Sequence, residues 1–244
     1  MIYELHGKIP RNSSFLYSED ILTSTVFGNL RYFSSNSLIN DFLSEAIDLK
    51  GNIFNYYFSD NIKINFWKKF SNKTKAQINE PDLVLEDKNS VLIIECKYHS
   101  PLDECFSENE NEYTNQLLRY STIIKDYYAE KKNKNIIFLT LKDYDVETCL
   151  EKTRKKLSPE IGLYWLHWEK LFLCLKKYED KVTSISEKTL ITDLIQFLEN
   201  RNLKYFSGIR IPYFSFTWKY KSNKRYIFAS KFNTFSWRWR YNYE

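Results

Sequence analysis

Two apolar runs dominate the middle of the chain. Glu80-Pro81-Asp82-Leu83-Val84-Leu85 is followed by a short polar break and then by Val91-Leu92-Ile93-Ile94-Glu95-Cys96-Lys97. Runs of this length joined by a polar turn predict a β-hairpin. A turn centred on Lys88-Asn89 puts Asp82 directly opposite Glu95, with Lys97 two residues further along the same face. Other segments carry helical spacing. Leu22, Val26, Leu30 and Phe33 recur behind Ser18-Glu19-Asp20, where Ser18 is a candidate N-cap and the acids suit a first turn; Gly28 weakens the pattern. A second helix is expected from Asn36 or Ser37 to about Leu49. Ile62–Phe70 alternates as a strand, and residues 71–80 form a polar loop. Residues 99–109 look irregular and acidic. A long helix is expected from about Glu110 to Lys131, with Tyr113, Gln116, Tyr120, Ile124 and Tyr127 on one face. Asn135–Leu141 and Gly162–Trp168 read as buried strands, the second followed by a helix through Leu175, and Leu190–Asn202 reads as an amphipathic helix. This alternation predicts an α/β core.

The last segment has a different pattern. Tyr213–Lys221, Arg225–Phe232 and Phe235–Tyr243 read as three antiparallel strands with short polar turns. In the third, Phe235, Trp237, Trp239, Tyr241 and Tyr243 share one face, and Arg238 and Arg240 share the other. The expected organisation is a main domain over residues 1–208 and an aromatic, basic extension over 209–244 that packs on it.

The 244 residues carry a formal net charge of +5. From Arg201 onward the only acid is Glu244, against Arg201, Lys204, Arg210, Lys219, Lys221, Lys224, Arg225, Lys231, Arg238 and Arg240. A basic field of this kind suits a polyanion. Arg238 and Arg240 would track phosphates without reading sequence, and the opposing aromatics would stack on unpaired bases. The plainer reading of those aromatics is a hydrophobic sheet face or an interface with a second copy or a partner protein. Cys96, Cys105, Cys149 and Cys174 lack metal-ligand spacing, which speaks against structural zinc and for a reduced, cytoplasmic protein. Met1–His6 does not read as a signal peptide, and no apolar run approaches the roughly 20 residues that span a membrane. His6 and His167 are too isolated to argue for histidine catalysis.

Asp82, Glu95 and Lys97 carry the chemistry. Two carboxylates whose Cβ atoms lie about 5 Å apart repel and favour a cation between them, and a hard, oxygen-seeking ion such as Mg²⁺, or Mn²⁺ in its place, satisfies both. Asp82 and Glu95 would be its ligands, completed by the backbone carbonyl of Cys96. Such an ion polarises a phosphodiester and acidifies a bound water. Lys97 would counter charge growing on the phosphoryl oxygens; its neighbouring carboxylates oppose the lowered pKa a general base needs. Singly, an Asp opening a strand is often a turn residue, and Glu95 with Lys97 resembles a surface pair. Together, three charged groups on one face of an apolar hairpin are costly to bury without partners.

Pro81-Asp82 followed by Glu95-Cys96-Lys97 resembles the signature of the PD-(D/E)XK nuclease superfamily, which includes restriction-endonuclease-like and RecB-like enzymes. Gln116-Leu117-Leu118-Arg119-Tyr120 resembles the QxxxY element of RecB-like members, its ends on one helical face. Glu19-Asp20-Ile21-Leu22-Thr23-Ser24-Thr25-Val26-Phe27-Gly28 resembles the N-terminal motif of some bacterial nuclease-like defence proteins. The likeness runs from about residue 15 to residue 208, most specifically over 80–120; Tyr164–Trp168 and Phe206-Ser207-Gly208 fit it loosely. It implies a mixed central sheet flanked by helices, Mg²⁺-dependent DNA endonuclease activity and a role in antiviral defence against foreign DNA. It makes Gln116 an orienting or substrate-touching residue and Tyr120 a backbone contact or pocket support, while a core aromatic is the plainer reading of Tyr120. It makes Glu19 a further metal ligand or water anchor, with Glu45 as rival; an acid in a first turn also stabilises a helix by itself. Arg119, Lys219, Arg238 and Arg240 are the candidate DNA contacts. Two other classes stay open: a nucleic-acid-binding protein that does not cut, and an interaction subunit of a larger complex built around the aromatic segment.

Overall fold

The computed structural model describes residues 18–204, apart from 60, 72–77, 99, 101, 103, 108–111 and 142–145. The expected meander over 209–244, with Lys219, Arg238 and Arg240, lies outside the described residues, as does His6.

The described chain is α/β. Helices α1 (Glu19–Leu30) and α2 (Ser37–Leu43) precede strand β1 (Lys63–Phe66). Two short strands, β2 (Phe70–Ser71) and β3 (Ile78–Asn79), lead to the central hairpin β4 (Leu83–Glu86) and β5 (Ser90–Lys97). Then follow β6 (Glu104–Ser107), β7 (Glu112–Asn115), α3 (Gln116–Tyr127), β8 (Asn133–Thr140), α4 (Val146–Lys156), β9 (Ile161–His167), α5 (Trp168–Glu179) and α6 (Ile185–Asn200). Five strands form one mixed sheet in the order β1-β4-β5-β8-β9. The β1–β4 and β4–β5 pairs are antiparallel; β5–β8 and β8–β9 are parallel.

Strand alternation splits the core into two layers. Leu83, Leu85, Leu92, Ile94, Ile137, Leu139 and Leu166 pack on the side of α1, α2, α5 and α6. Val84, Val91, Ile93, Ile136, Phe138, Ile161 and Leu163 pack on the side of α3 and α4. A strand covered on both faces must be apolar at consecutive positions, and this accounts for the unbroken run Val91–Ile94. Glu95 and Lys97 continue the α3-facing series at the strand's end.

Several expected boundaries move. The Ser18 side chain does cap α1, accepting from the Ile21 N–H at 3.4 Å. Helix α2 stops at Leu43, not Leu49, because Ile47 leaves the helix to pair with Trp165 in both directions, at 2.9 and 2.8 Å. The strand expected over Ile62–Phe70 breaks at Trp67, whose φ of 47° ends β1. The segment expected to be irregular contains β6, paired antiparallel with β7. As a result α3 starts at Gln116 rather than near Glu110: Asn115 caps it, accepting from the Leu118 N–H at 2.9 Å, and Tyr113 belongs to β7. Helix α4 was not anticipated. It buries only Val146, Cys149, Leu150 and Thr153 in an otherwise charged segment. Among the described residues, no helix is long and apolar enough to cross a membrane. Cys96 and Cys174 are buried free thiols.

Candidate functional site

The hairpin pairs Leu83 with Ile94 and Val84 with Ile93, the register expected from the sequence. Carried one pair outward, it sets Asp82 opposite Glu95 and Pro81 opposite Cys96. Pro81 has no N–H and cannot complete a ladder bond. On the same edge the Cys96 N–H donates to the Asp82 carboxylate, at Oδ2, over 2.8 Å. A strand residue points its N–H and C=O toward the same neighbour, so the Cys96 carbonyl is also directed to the Asp82 side, where Pro81 offers it no donor. The next carbonyl, that of Lys97, points the other way and accepts from Leu141 at 3.2 Å.

Lys97 lies between two carboxylates. Its Nζ is 2.8 Å from Glu95 Oε1 and 3.2 Å from Glu19 Oε1. The Glu19 side chain arrives from the first turn of α1, and its other oxygen accepts from the Tyr98 N–H at 2.8 Å and the Ser100 hydroxyl at 2.6 Å. The Glu95 side chain is 2% exposed, and its Oε2 accepts a very short hydrogen bond from the Tyr120 hydroxyl on α3. Asp82, Glu95, Lys97, Glu19 and Tyr120, distant in sequence, therefore form one cluster where α1 and α3 meet the end of β5.

The electrostatics follow from burial. Asp82 is pushed up to about 7, first by burial and then by the Glu95 carboxylate, against the pull of the Cys96 N–H and Lys97. Glu95 is also raised by burial, although Lys97 and Tyr120 favour its charged form. Burial alone would lower Lys97, but Glu95 and Glu19 outweigh it and hold the ammonium above its ordinary value. Lys97 is thus a fixed positive charge and is unsuited to act as a base. The Tyr120 phenol is raised by burial and by Glu95, which keeps it a donor. Three carboxylates against one ammonium leave a surplus of negative charge when all are ionised, and a site that raises carboxylate pKa values in this way favours added positive charge.

The remaining candidates lie as follows. Gln116 opens α3 one turn before Tyr120, and both Gln116 and Arg119 are half-buried. Glu45 stands elsewhere, 3.0 Å from Lys170 and 3.8 Å from Lys177, so Glu19 is the early-helix acid that meets Lys97. His167 caps α5, accepting from the Glu169 N–H at 3.3 Å, and its other ring nitrogen contacts the Leu141 carbonyl. Sequence reading passed over Tyr98 and Ser100, which hold Glu19. Tyr98 does so through its backbone N–H, which no side-chain pattern reports. Trp67 was also passed over; its N–H donates to the Asp82 carbonyl at 3.2 Å.

Among the described residues, no three Asp, Glu, His or Cys side chains converge as a metal-holding group. Asp82 and Glu95 with the Cys96 carbonyl are nonetheless all hard oxygen donors. Mg²⁺ is commonly bound through one or two carboxylates, with waters and substrate phosphate completing its shell, so this smaller set fits it. Glu19 meets Lys97 through Oε1 and Tyr98 and Ser100 through Oε2, so it ties Lys97 to the residues that follow β5. No family model, curated protein or solved structure matches the chain.

Proposed function

We propose that the chain is a metal-dependent deoxyribonuclease with a restriction-endonuclease-like fold, hydrolysing phosphodiester bonds in DNA with Mg²⁺, for which Mn²⁺ can substitute. The observation that carries this reading is the cluster itself: Asp82 opposite Glu95, Lys97 fixed between Glu95 and Glu19, and Tyr120 donating to Glu95. The resemblance of Pro81-Asp82, Glu95-Cys96-Lys97 and Gln116–Tyr120 to PD-(D/E)XK nucleases supports it. The order of the mixed sheet, with the acids at the open end of its central hairpin, is compatible with that fold.

Asp82, Glu95 and the Cys96 carbonyl would hold the ion, which when bound polarises the phosphate and acidifies a water. Lys97 keeps its proton and opposes charge developing on the phosphoryl oxygens. Glu19 limits the reach of Lys97 through the contacts that also tie it to Tyr98 and Ser100. Tyr120 holds one Glu95 oxygen and leaves the other to Lys97. A role in antiviral defence rests on the resemblance alone.

A second reading is a non-cleaving nucleic-acid-binding or interaction subunit. The engagement of both Glu19 oxygens favours it, because part of the acidic cluster is already neutralised internally. The two readings separate when purified protein is incubated with supercoiled, linear and single-stranded DNA and with RNA, in Mg²⁺, Mn²⁺ or EDTA. Metal-dependent cutting supports the nuclease; binding without cutting in every metal supports the alternative.

A further inference from the structure

Trp67 is held in a backbone conformation that suits it poorly. Its φ of 47° lies in the left-handed region, a genuine outlier for a bulky side chain and one glycine would occupy without strain. Such outliers concentrate at binding and catalytic sites, and this one adjoins the candidate site. Phe66 pairs with Leu83; carried one pair outward, Trp67 lies opposite Asp82, to whose carbonyl its N–H donates at 3.2 Å. Asp82 in turn lies opposite Glu95. Trp67, Asp82 and Glu95 therefore occupy one row across three neighbouring strands.

The surroundings of Trp67 are aromatic and basic. Its indole is half-buried and sits 5.5 Å from the Phe66 ring. The Arg31 guanidinium, just past the end of α1, lies 6.0 Å from the Phe66 ring and 5.6 Å from that of Tyr32, which is 67% exposed. Tyr32, Arg31, Phe66 and Trp67 thus form a series of ring and cation contacts that ends at the residue whose backbone N–H meets the Asp82 carbonyl. Exposed π faces next to a cation are the elements that bind unpaired bases and their phosphates.

We propose that Trp67, extended by Arg31 and Tyr32, is a stacking shelf for an unpaired nucleobase next to the phosphate that a metal ion at Asp82 and Glu95 would bind, so that the preferred ligand is single-stranded or locally unpaired nucleic acid. This rests on the nuclease reading for the position of the phosphate. The shelf needs an open π face, which bases inside an intact duplex do not offer. Charge on Arg31 supplies attraction without sequence readout.

The test is fluorescence anisotropy with a labelled single-stranded 12-mer and its duplex, in EDTA so that nothing is cut, on the full chain and two variants. Trp67→Gly keeps a residue that accepts the left-handed backbone and removes the indole; Trp67→Phe keeps an aromatic ring. Stacking of one base corresponds to roughly a tenfold loss of single-strand affinity in Trp67→Gly. The Phe variant should stay within about threefold of the parent and duplex affinity within about twofold, with circular dichroism unchanged. Equal single-strand affinity in the Gly variant and the parent overturns the shelf, as does an equal loss on single strand and duplex, or no nucleic-acid binding by the parent. Cleavage in Mg²⁺ is scored separately. Unchanged binding with cutting intact removes the shelf and leaves the nuclease; selective loss of binding in a chain that never cuts keeps the shelf and removes the nuclease.

Discussion

Replacing Tyr120 by Phe deletes one oxygen and leaves the ring in the core. Tyr120 is 2% exposed, and its hydroxyl donates to Glu95, whose side chain is also 2% exposed. Water cannot replace the lost donor at so buried a carboxylate. A hydrogen bond to a charged group contributes about 1.5–3 kcal/mol, and a buried group left without its partner keeps its desolvation cost. In a domain of this size each kcal/mol moves Tm by about 2–4 °C, so the variant should melt roughly 3–12 °C lower at pH 8. The loss should depend on pH with a definite sign. Tyr120 favours the charged form of Glu95, against the upward push of burial. Where Glu95 is ionised the full charge-assisted bond is lost; where it is protonated in both proteins only a weaker neutral bond is lost. The difference between parent and Tyr120→Phe should therefore shrink as pH falls toward 4. Urea unfolding at pH 4, 6 and 8 measures it. Equal stability at pH 8, or a larger penalty at pH 4 than at pH 8, refutes the assignment of Tyr120 as the donor that holds Glu95.

Three further outcomes are expected. Asp82 has a folded pKa of about 7 against an ordinary value of 3.8, so between those values the folded state binds more protons and stability falls as pH rises. That interval corresponds to on the order of 4 kcal/mol. Asp82→Asn in EDTA should consequently be more stable than the parent above pH 7 and lose that advantage near pH 4; calorimetry at both ends gives the answer, and an Asn variant less stable at pH 8 contradicts it. Mg²⁺ at a hundred times its Kd should stabilise the parent by about 2.7 kcal/mol and leave Asp82→Ala unmoved in a thermal melt, whereas equal shifts in both proteins place the ion elsewhere. Pro81→Ala restores an N–H opposite the Cys96 carbonyl and should raise the Mg²⁺ midpoint of that melt several-fold without abolishing folding; an unchanged midpoint removes the carbonyl from the ligand set.

The parts of this fold legible in the sequence are those fixed by neighbours in the chain. The β4–β5 hairpin has a short turn, and its register followed from the two apolar runs. Ser18 capped α1 as its acids suggested, because capping is settled within three residues. Distant partners decided the rest. Helix α2 ends early because Ile47 bonds to Trp165, far along the sequence. Asn115 starts α3 only once residues 112–115 are committed to β7. Helix α4 buries one narrow strip, too thin a signal among its lysines and glutamates. At the site, Asp82, Glu95 and Lys97 were readable as one face of one hairpin. Their contacts with Tyr120 and Glu19 join residues 25 and 78 positions apart, which no spacing rule connects; only the resemblance had singled them out. The grip of Tyr98 and Ser100 on Glu19, and the strained Trp67 against Asp82, depend on backbone geometry that side-chain patterns do not record.

The central claim is that Asp82 and Lys97 belong to one phosphodiester-cleaving centre. The most direct measurement is cleavage of supercoiled, linear and single-stranded DNA in Mg²⁺ by the parent, Asp82→Ala and Lys97→Ala, each verified as folded by circular dichroism. The account predicts cutting by the parent that EDTA abolishes and that both variants lose. Equal cutting by all three folded proteins would contradict it.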